Sequence, residues 1–164
     1  MEDLIKKIEQ WAEDRNIING TKPIDQAMKL FSEFGELADN IGKGRDCRDD
    51  VGDVFVVLTI LSAQSDGNLH KVTDYDEPYE LLSKKEEVYY LGKNLIDIAD
   101  LLITYTEKQD IDFVHAVLSL KAICELSGYT LEECVQIAYD DIKDRKGKVV
   151  NGVFIKESDL KDGE

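Results

Sequence analysis

Apolar residues recur along the chain at the spacing of helix faces, in six successive blocks. Leu4, Ile5, Ile8, Trp11 and Ala12 predict a first helix over residues 2–15. Residues 16–22 carry Asn19-Gly20, a turn signal. Pro23 suits the first turn of a second helix, whose stripe is Ile24, Ala27, Met28, Phe31 and Leu37 or Ala38. Gly42-Lys43-Gly44 ends it, and a third helix runs from about 46 to 64. Val54–Leu61 within it is apolar all round and reads as buried. It is β-branched enough for a strand, but helical patterning on both sides and the lack of a partner strand favour helix. The polar stretch 65–78, with Gly67 and Pro78, reads as a loop. A fourth helix spans 80–107, with Leu91, Leu95, Ile98, Leu101, Leu102 and Tyr105 inward, and a fifth spans 111–126. Gly128 stops it, and Thr130 with Glu133 opens the last helix as a capping box. That helix is expected to end near Gly147, and 149–164 to form an irregular arm docked through Val153, Phe154 and Ile155. Residues 57–72 echo 117–135 in character, an apolar helix followed by a polar Gly turn and a restart. The pattern predicts a single all-α domain over 1–164, an antiparallel helical bundle.

Composition narrows the function classes. The 164 residues are 43% hydrophobic and 34% charged, with 2 Pro, which marks a folded, helix-rich chain. Against 20 basic residues stand 35 acidic ones, a net charge of -15. Such a body repels a phosphate backbone and an anionic membrane, so no nucleic-acid or membrane partner is expected. A nucleotide substrate would need metal ions to screen its phosphates. Val54–Leu61 is the longest apolar run, far below the ~20 residues of a membrane span. The opening MEDLIKKIEQ has no signal-peptide core, and three Cys without a CxxC suit free thiols in a reducing cytosol. Two His without an HxxxH argue against a His-rich zinc site. A cytoplasmic location is expected.

The chemistry lies in two carboxylate doublets, Glu33-Phe34-Gly35-Glu36 and Asp50-Val51-Gly52-Asp53. In each, positions i and i+3 share one helix face. A short Gly-containing turn joins the two helices, which makes them antiparallel neighbours with facing doublets. Four carboxylates together repel one another, and a hard divalent cation relieves the repulsion. By spacing alone, a solvated acidic face is the commoner reading in a chain with 35 acids. Gly35 and Gly52 each lower helix propensity by roughly 1 kcal/mol, which points to close helix approach or a ligand.

The stretch KLFSEFGELADNIGKGRDCRDDVGDVFVVLTILSAQ (29–64) resembles the MazG-like all-α nucleoside triphosphate pyrophosphohydrolases, whose pattern is ExxE, a spacer, then ExxD. Glu33, Glu36 and Asp53 match; Asp50 stands where the family usually has Glu, one methylene shorter. IEQWAEDRNIING (8–20) and AYDDIKDRKGKVVNGVFIKESDL (138–160) are similar to the terminal segments of phage and bacterial members. Compact members lack the segment at roughly 65–115, a helical insertion suited to completing the bundle, to an oligomer contact or to a substrate lid. The resemblance implies a MazG/dUTPase-like bundle and hydrolysis of an NTP or dNTP to the monophosphate and pyrophosphate. It implies Mg²⁺, with Mn²⁺ as substitute, on Glu33, Glu36, Asp50 and Asp53, and water attack at the α-phosphorus with Glu33 or Glu36 assisting. Glu36 is the expected general base, the role is house-cleaning of the nucleotide pool, and the assembly is a homodimer or higher oligomer.

Other residues carry two readings each. Arg145 and Lys143, in a basic cluster near a helix end, either complement the helix dipole or bind substrate phosphate. Trp11, the only Trp, either packs in the core or stacks on the base. Asn16 and Asn151 are candidates for base or ribose contact. Lys29, one turn before Glu33, reads as an ion-pair partner, and Asp39, Asp46 and Asp49 as solvated acids. Asp112 with His115 is a poor di-iron match, and Cys124 reads as core. The rival to the enzyme is a catalytically silent helical module that binds nucleotide or protein, motivated by Asp50 and the insertion.

Overall fold

The structure is a computed structural model that describes residues 1–65, 67, 69–74, 80–105 and 112–160. Its order is α1 (Glu2–Asp14), α2 (Ile17–Gly20), α3 (Pro23–Gly42), α4 (Arg48–Gln64), α5 (Leu69–Thr73), α6 (Lys84–Thr104), α7 (Val114–Ser127), α8 (Leu131–Ile142), then strands β1 (Gly147–Val150) and β2 (Val153–Lys156) and a 3-10 turn, Glu157–Asp159. The all-α expectation holds for the bundle. No helix among the described residues is long and apolar enough to cross a membrane.

The apolar stripes of α1 and α4 do what their spacing requires, whereas Ile24 and Met28, expected on the inward stripe of α3, are 41% and 54% exposed because that helix turns Ala27, Leu30 and Leu37 to the core instead. Leu4, Ile5, Ile8, Trp11 and Ala12 of α1 are all buried. In α3 the buried stripe is Ala27, Leu30, Glu33, Leu37 and Ile41, so a carboxylate occupies a core position. The backbone N–H of Lys22 donates to Asp25 at 2.8 Å, closing the first turn of α3. Helix α4 is buried on every side from Val54 to Ser62 and packs against α1, α2, α3, α7 and α8. Gly52 permits the closest of these crossings: a Cβ there would overlap the Cys134 carbonyl oxygen and stand 2.7 Å from the Ala138 methyl carbon of α8. Gly35 faces open space, so helix packing does not explain it. Gly128 ends α7 at φ 80°, and the Thr130–Glu133 box opens α8. Helix α6, from the insertion, packs on α3 and α7 and adds Leu91, Leu95 and Ile98 to the core. Cys47, Cys124 and Cys134 are free and buried.

The departures lie mostly at ends and turns. The irregular arm expected over 149–164 is largely an antiparallel hairpin, with Val150 opposite Val153. Asn151 and Gly152 turn at φ 50° and 81°, the left-handed pair that a two-residue hairpin turn demands. Helix α8 stops at Ile142, short of Gly147, because the chain must leave the helix to feed this hairpin. Residues 17–20 coil into a helical turn, and 69–73 do so inside the expected 65–78 loop, whose residues 75–79 lie outside the described set. Leu101 and Tyr105, expected inward, are 38% and 52% exposed; the buried face of α6 runs through Val88, Leu91, Leu95, Ile98 and Ala99 and goes no further. The region expected as the fifth helix begins at Val114, and residues 106–111 lie outside the described set.

Gly52→Ala is expected to destabilise the protein by about 2 kcal/mol through overpacking against α8. Gly35→Ala, in open space, is expected to stabilise by up to ~1 kcal/mol. Urea unfolding of the two variants checks both signs.

Candidate active site

A cavity of about 400 Å³ opens where α1, α3, α4 and the hairpin meet. Its apolar wall includes Trp11, Val56, Ile60 and Phe154, and its charged side includes Lys29, Glu33, Asp53, Arg145 and Lys156. Glu33 reaches it from the middle of α3 and Asp53 from the first half of α4. The two helices run antiparallel across the turn 43–47, so residues ascending one meet residues descending the other. Burial pushes Asp53 up to about 7, helped by the negative charges of Glu33 and Asp49; Lys29 and Arg145 pull the other way. Lys29 forms the ion pair with Glu33 expected of it, and it also lines the cavity.

The other two acids stand apart. Glu36 is exposed, and Asp50 accepts from Asn40 Nδ2 with both oxygens, at 3.0 and 2.9 Å. Neither lines the cavity. Among the described residues, no three His, Cys, Asp or Glu side chains gather closely enough to hold a metal by themselves. Of the four doublet acids, Glu33 and Asp53 are therefore the two that the fold brings to the cavity, which Asp25 also lines.

Arg145 lines the cavity and pairs with Asp141 one turn back. Lys143 donates to Asp140 at 2.7 Å and does not line the cavity. Trp11 does line it, while Asn16 does not: at φ 54° Asn16 makes the left-handed step between α1 and α2. Asn151 is spent on the hairpin turn.

Three contributors escaped the sequence reading. Phe154 meets Trp11 edge-on at 5.8 Å, and Lys156 follows on the same strand. Their signal was Asn151-Gly152, which marks a hairpin tip. Arg15 ties the site together: its Nε donates to the Arg145 carbonyl at 2.7 Å, Nη2 to the Lys143 carbonyl at 3.2 Å and Nη1 to the Trp11 carbonyl at 3.1 Å. It thereby caps the end of α8 and fixes α1 to the chain that carries Arg145. No local pattern announces such a long-range cap.

The raised Asp53 sets a pH dependence. Between the unfolded value of 3.8 and about 7 the folded protein binds the extra proton, so stability falls as pH rises through that window. In chelator, Asp53→Asn is expected to melt above the wild type at pH 8 and level with it near pH 5. Thermal melts across that range check the crossover.

No family model matches the chain, and no solved structure does. The chain is 34% identical over 158 residues to the "Uncharacterized 18.2 kDa protein in rep-hol intergenic region" of Haemophilus phage HP1, covering 84% of this chain and 97% of that protein. This chain belongs to the family of that phage HP1 protein.

Proposed function

We propose that this protein is a metal-dependent nucleoside triphosphate pyrophosphohydrolase of MazG-like type. The observation that carries the reading is the composition of one cavity: three acids (Asp25 and Glu33 from α3, Asp53 from α4), three basic side chains and the aromatic rings of Trp11 and Phe154. A nucleotide offers a flat apolar base, a polar sugar and a polyanion, and this lining has a counterpart for the first and the last.

The donor set suits the expected cation. Mg²⁺ is usually held by one or two carboxylates, with substrate phosphates and water completing its shell. Glu33 and Asp53 supply that number, and Mn²⁺ takes the same oxygens. A bound cation would screen the triphosphate and lower the pKa of a coordinated water. Glu33 and Asp53 hold and orient at the α-phosphorus side, and we give them the acid–base role ahead of the exposed Glu36. Arg145 forks onto phosphate oxygens, a geometry for which guanidinium is suited. Lys29 and Lys156 neutralise the leaving pyrophosphate, and Phe154 and Trp11 exclude water from the base. Glu36 and Asp50 lie one turn along from Glu33 and Asp53, where they add negative potential that draws in a cation.

The same family likeness implies a homodimer or higher oligomer. Tyr89, Ile96 and Ile103 are exposed and fall seven apart on α6, which gives such an assembly an apolar stripe. Ile96→Asp is expected to reduce the assembly to monomers by sedimentation velocity.

A second reading has one observation behind it. Asp50 is occupied by Asn40, which removes a carboxylate from the four-acid set and favours a silent nucleotide- or protein-binding module.

Incubation with the eight common NTPs and dNTPs plus Mg²⁺ separates the two. Monophosphate with pyrophosphate is expected, and Glu33→Gln or Asp53→Asn is expected to lower turnover about a hundredfold or more. Lys143→Ala is expected to leave turnover within a few-fold. Diphosphate with phosphate would refute attack at the α-phosphorus. Thermal stabilisation by nucleotide without any turnover would leave the binding module.

A further inference from the structure

One polar group on the cavity wall has no partner among the described residues. Trp11 is 9% exposed, lines the cavity, and its indole Nε1 is buried with no acceptor in hydrogen-bond range. An indole N–H usually finds a partner when buried, because the unpaired donor is costly. The ring is held from two directions. The Arg15 guanidinium stands 4.9 Å from its centroid, and Phe154 meets it at 5.8 Å with planes 64° apart. Arg15 is itself fixed by three backbone carbonyls. The donor is thus set in place before any ligand arrives. Nearby polar groups are already engaged: Gln26 Nε2 donates to the Thr21 hydroxyl at 2.9 Å, and Asp25 accepts from the Lys22 backbone.

We propose that the Trp11 indole N–H is a specificity-determining donor that takes a carbonyl oxygen of the ligand's base. The site then prefers the oxo-bearing bases, uracil, thymine, cytosine and guanine, over adenine. This rests on the reading of the cavity as a nucleotide site. A base carbonyl projects clear of the ring and carries two lone pairs, so it reaches a donor set in a wall. Guanine and thymine present such oxygens along an edge, whereas adenine presents an amino donor beside its ring nitrogen. Adenine has no exocyclic oxygen and offers only ring nitrogens, each with a single in-plane lone pair held within the ring, so it meets a donor set in the wall less well. A site built with one buried donor discriminates through that asymmetry, since the wrong ligand leaves the donor unsatisfied.

A chain with one Trp gives one indole N–H resonance, which makes the test direct. The ¹⁵N-labelled protein is titrated with Mg²⁺ and the non-hydrolysable α,β-imido analogues of dUTP, dGTP and dATP, with affinities read by calorimetry. The indole resonance is expected to move downfield and exchange more slowly with the first two and not with the third. The oxo-bearing analogues are expected to bind at least about fivefold tighter. Trp11→Phe keeps a ring and drops the donor, and is expected to erase that preference. An indole resonance unmoved while dUTP or dGTP analogue binds overturns the proposal in the wild type alone, whether or not the variant folds. An unchanged base ranking in a folded Trp11→Phe overturns it too. Failure of every analogue to bind removes the nucleotide-site reading and this inference with it. Selective binding of the analogues, with the indole shift but no hydrolysis of the natural triphosphates, removes the hydrolase reading and upholds this inference.

Discussion

The close crossing of α4 and α8 at Gly52 is the contact on which the site depends. With no side chain at that position, the Cys134 carbonyl and the Ala138 methyl press against the α4 backbone. Helix α4 can then be enclosed by five other helices, so its residues from Val54 to Ser62 are buried whichever way they point. Two consequences follow. Asp53, the next residue along, enters a setting with little water. The far end of α8 is brought past α4, so that Arg145 and the hairpin arrive at the same cavity as Glu33.

Charge is distributed in that cavity against the trend of the chain. The protein carries a net charge of -15, yet Lys29, Arg145 and Lys156 all line this one cavity. Among them, Glu33 is buried in an apolar stripe and paired with Lys29, and Asp53 is driven up to about 7 by burial and by the negative charges of Glu33 and Asp49. A carboxylate pair in that condition is relieved by a proton or by a cation, while the basic residues are suited to an anion. The two preferences meet in a ligand that brings both, which is the physical content of the nucleotide reading.

The hairpin shows how a short segment completes a site built by helices. Its turn residues, Asn151 and Gly152, take left-handed angles, and a Cβ at Gly152 would run into the Asp25 carboxylate at the start of α3. The tip therefore sits down on α3 only because it is glycine. That seating places Phe154 against Trp11 and Lys156 beside Arg145 at the cavity. Arg15 secures the same junction from the other side, through the carbonyls of Lys143 and Arg145.

Helix content, order and caps were legible in the chain because they arise from local periodicity, as with the α1 stripe and the Gly128–Thr130 stop and restart. Glu33, Asp53, Arg145 and Trp11 were legible as candidates because the doublet spacing and the basic cluster stand out in the chain and because the flanking segments resemble one family. Spacing treated the four carboxylates as equals, and treated Lys143 and Asn16 like their neighbours. Tertiary structure separated them: Asn40 claimed Asp50, solvent took Glu36, Asp140 took Lys143, and the backbone turn took Asn16. It also supplied Phe154, Lys156 and Arg15, whose partners lie more than a hundred residues away along the chain for Phe154 and Arg15. Helix periodicity is written in neighbouring residues, whereas which side chains share one cavity is settled by how helices cross, and a glycine contact between α4 and α8 decides that here.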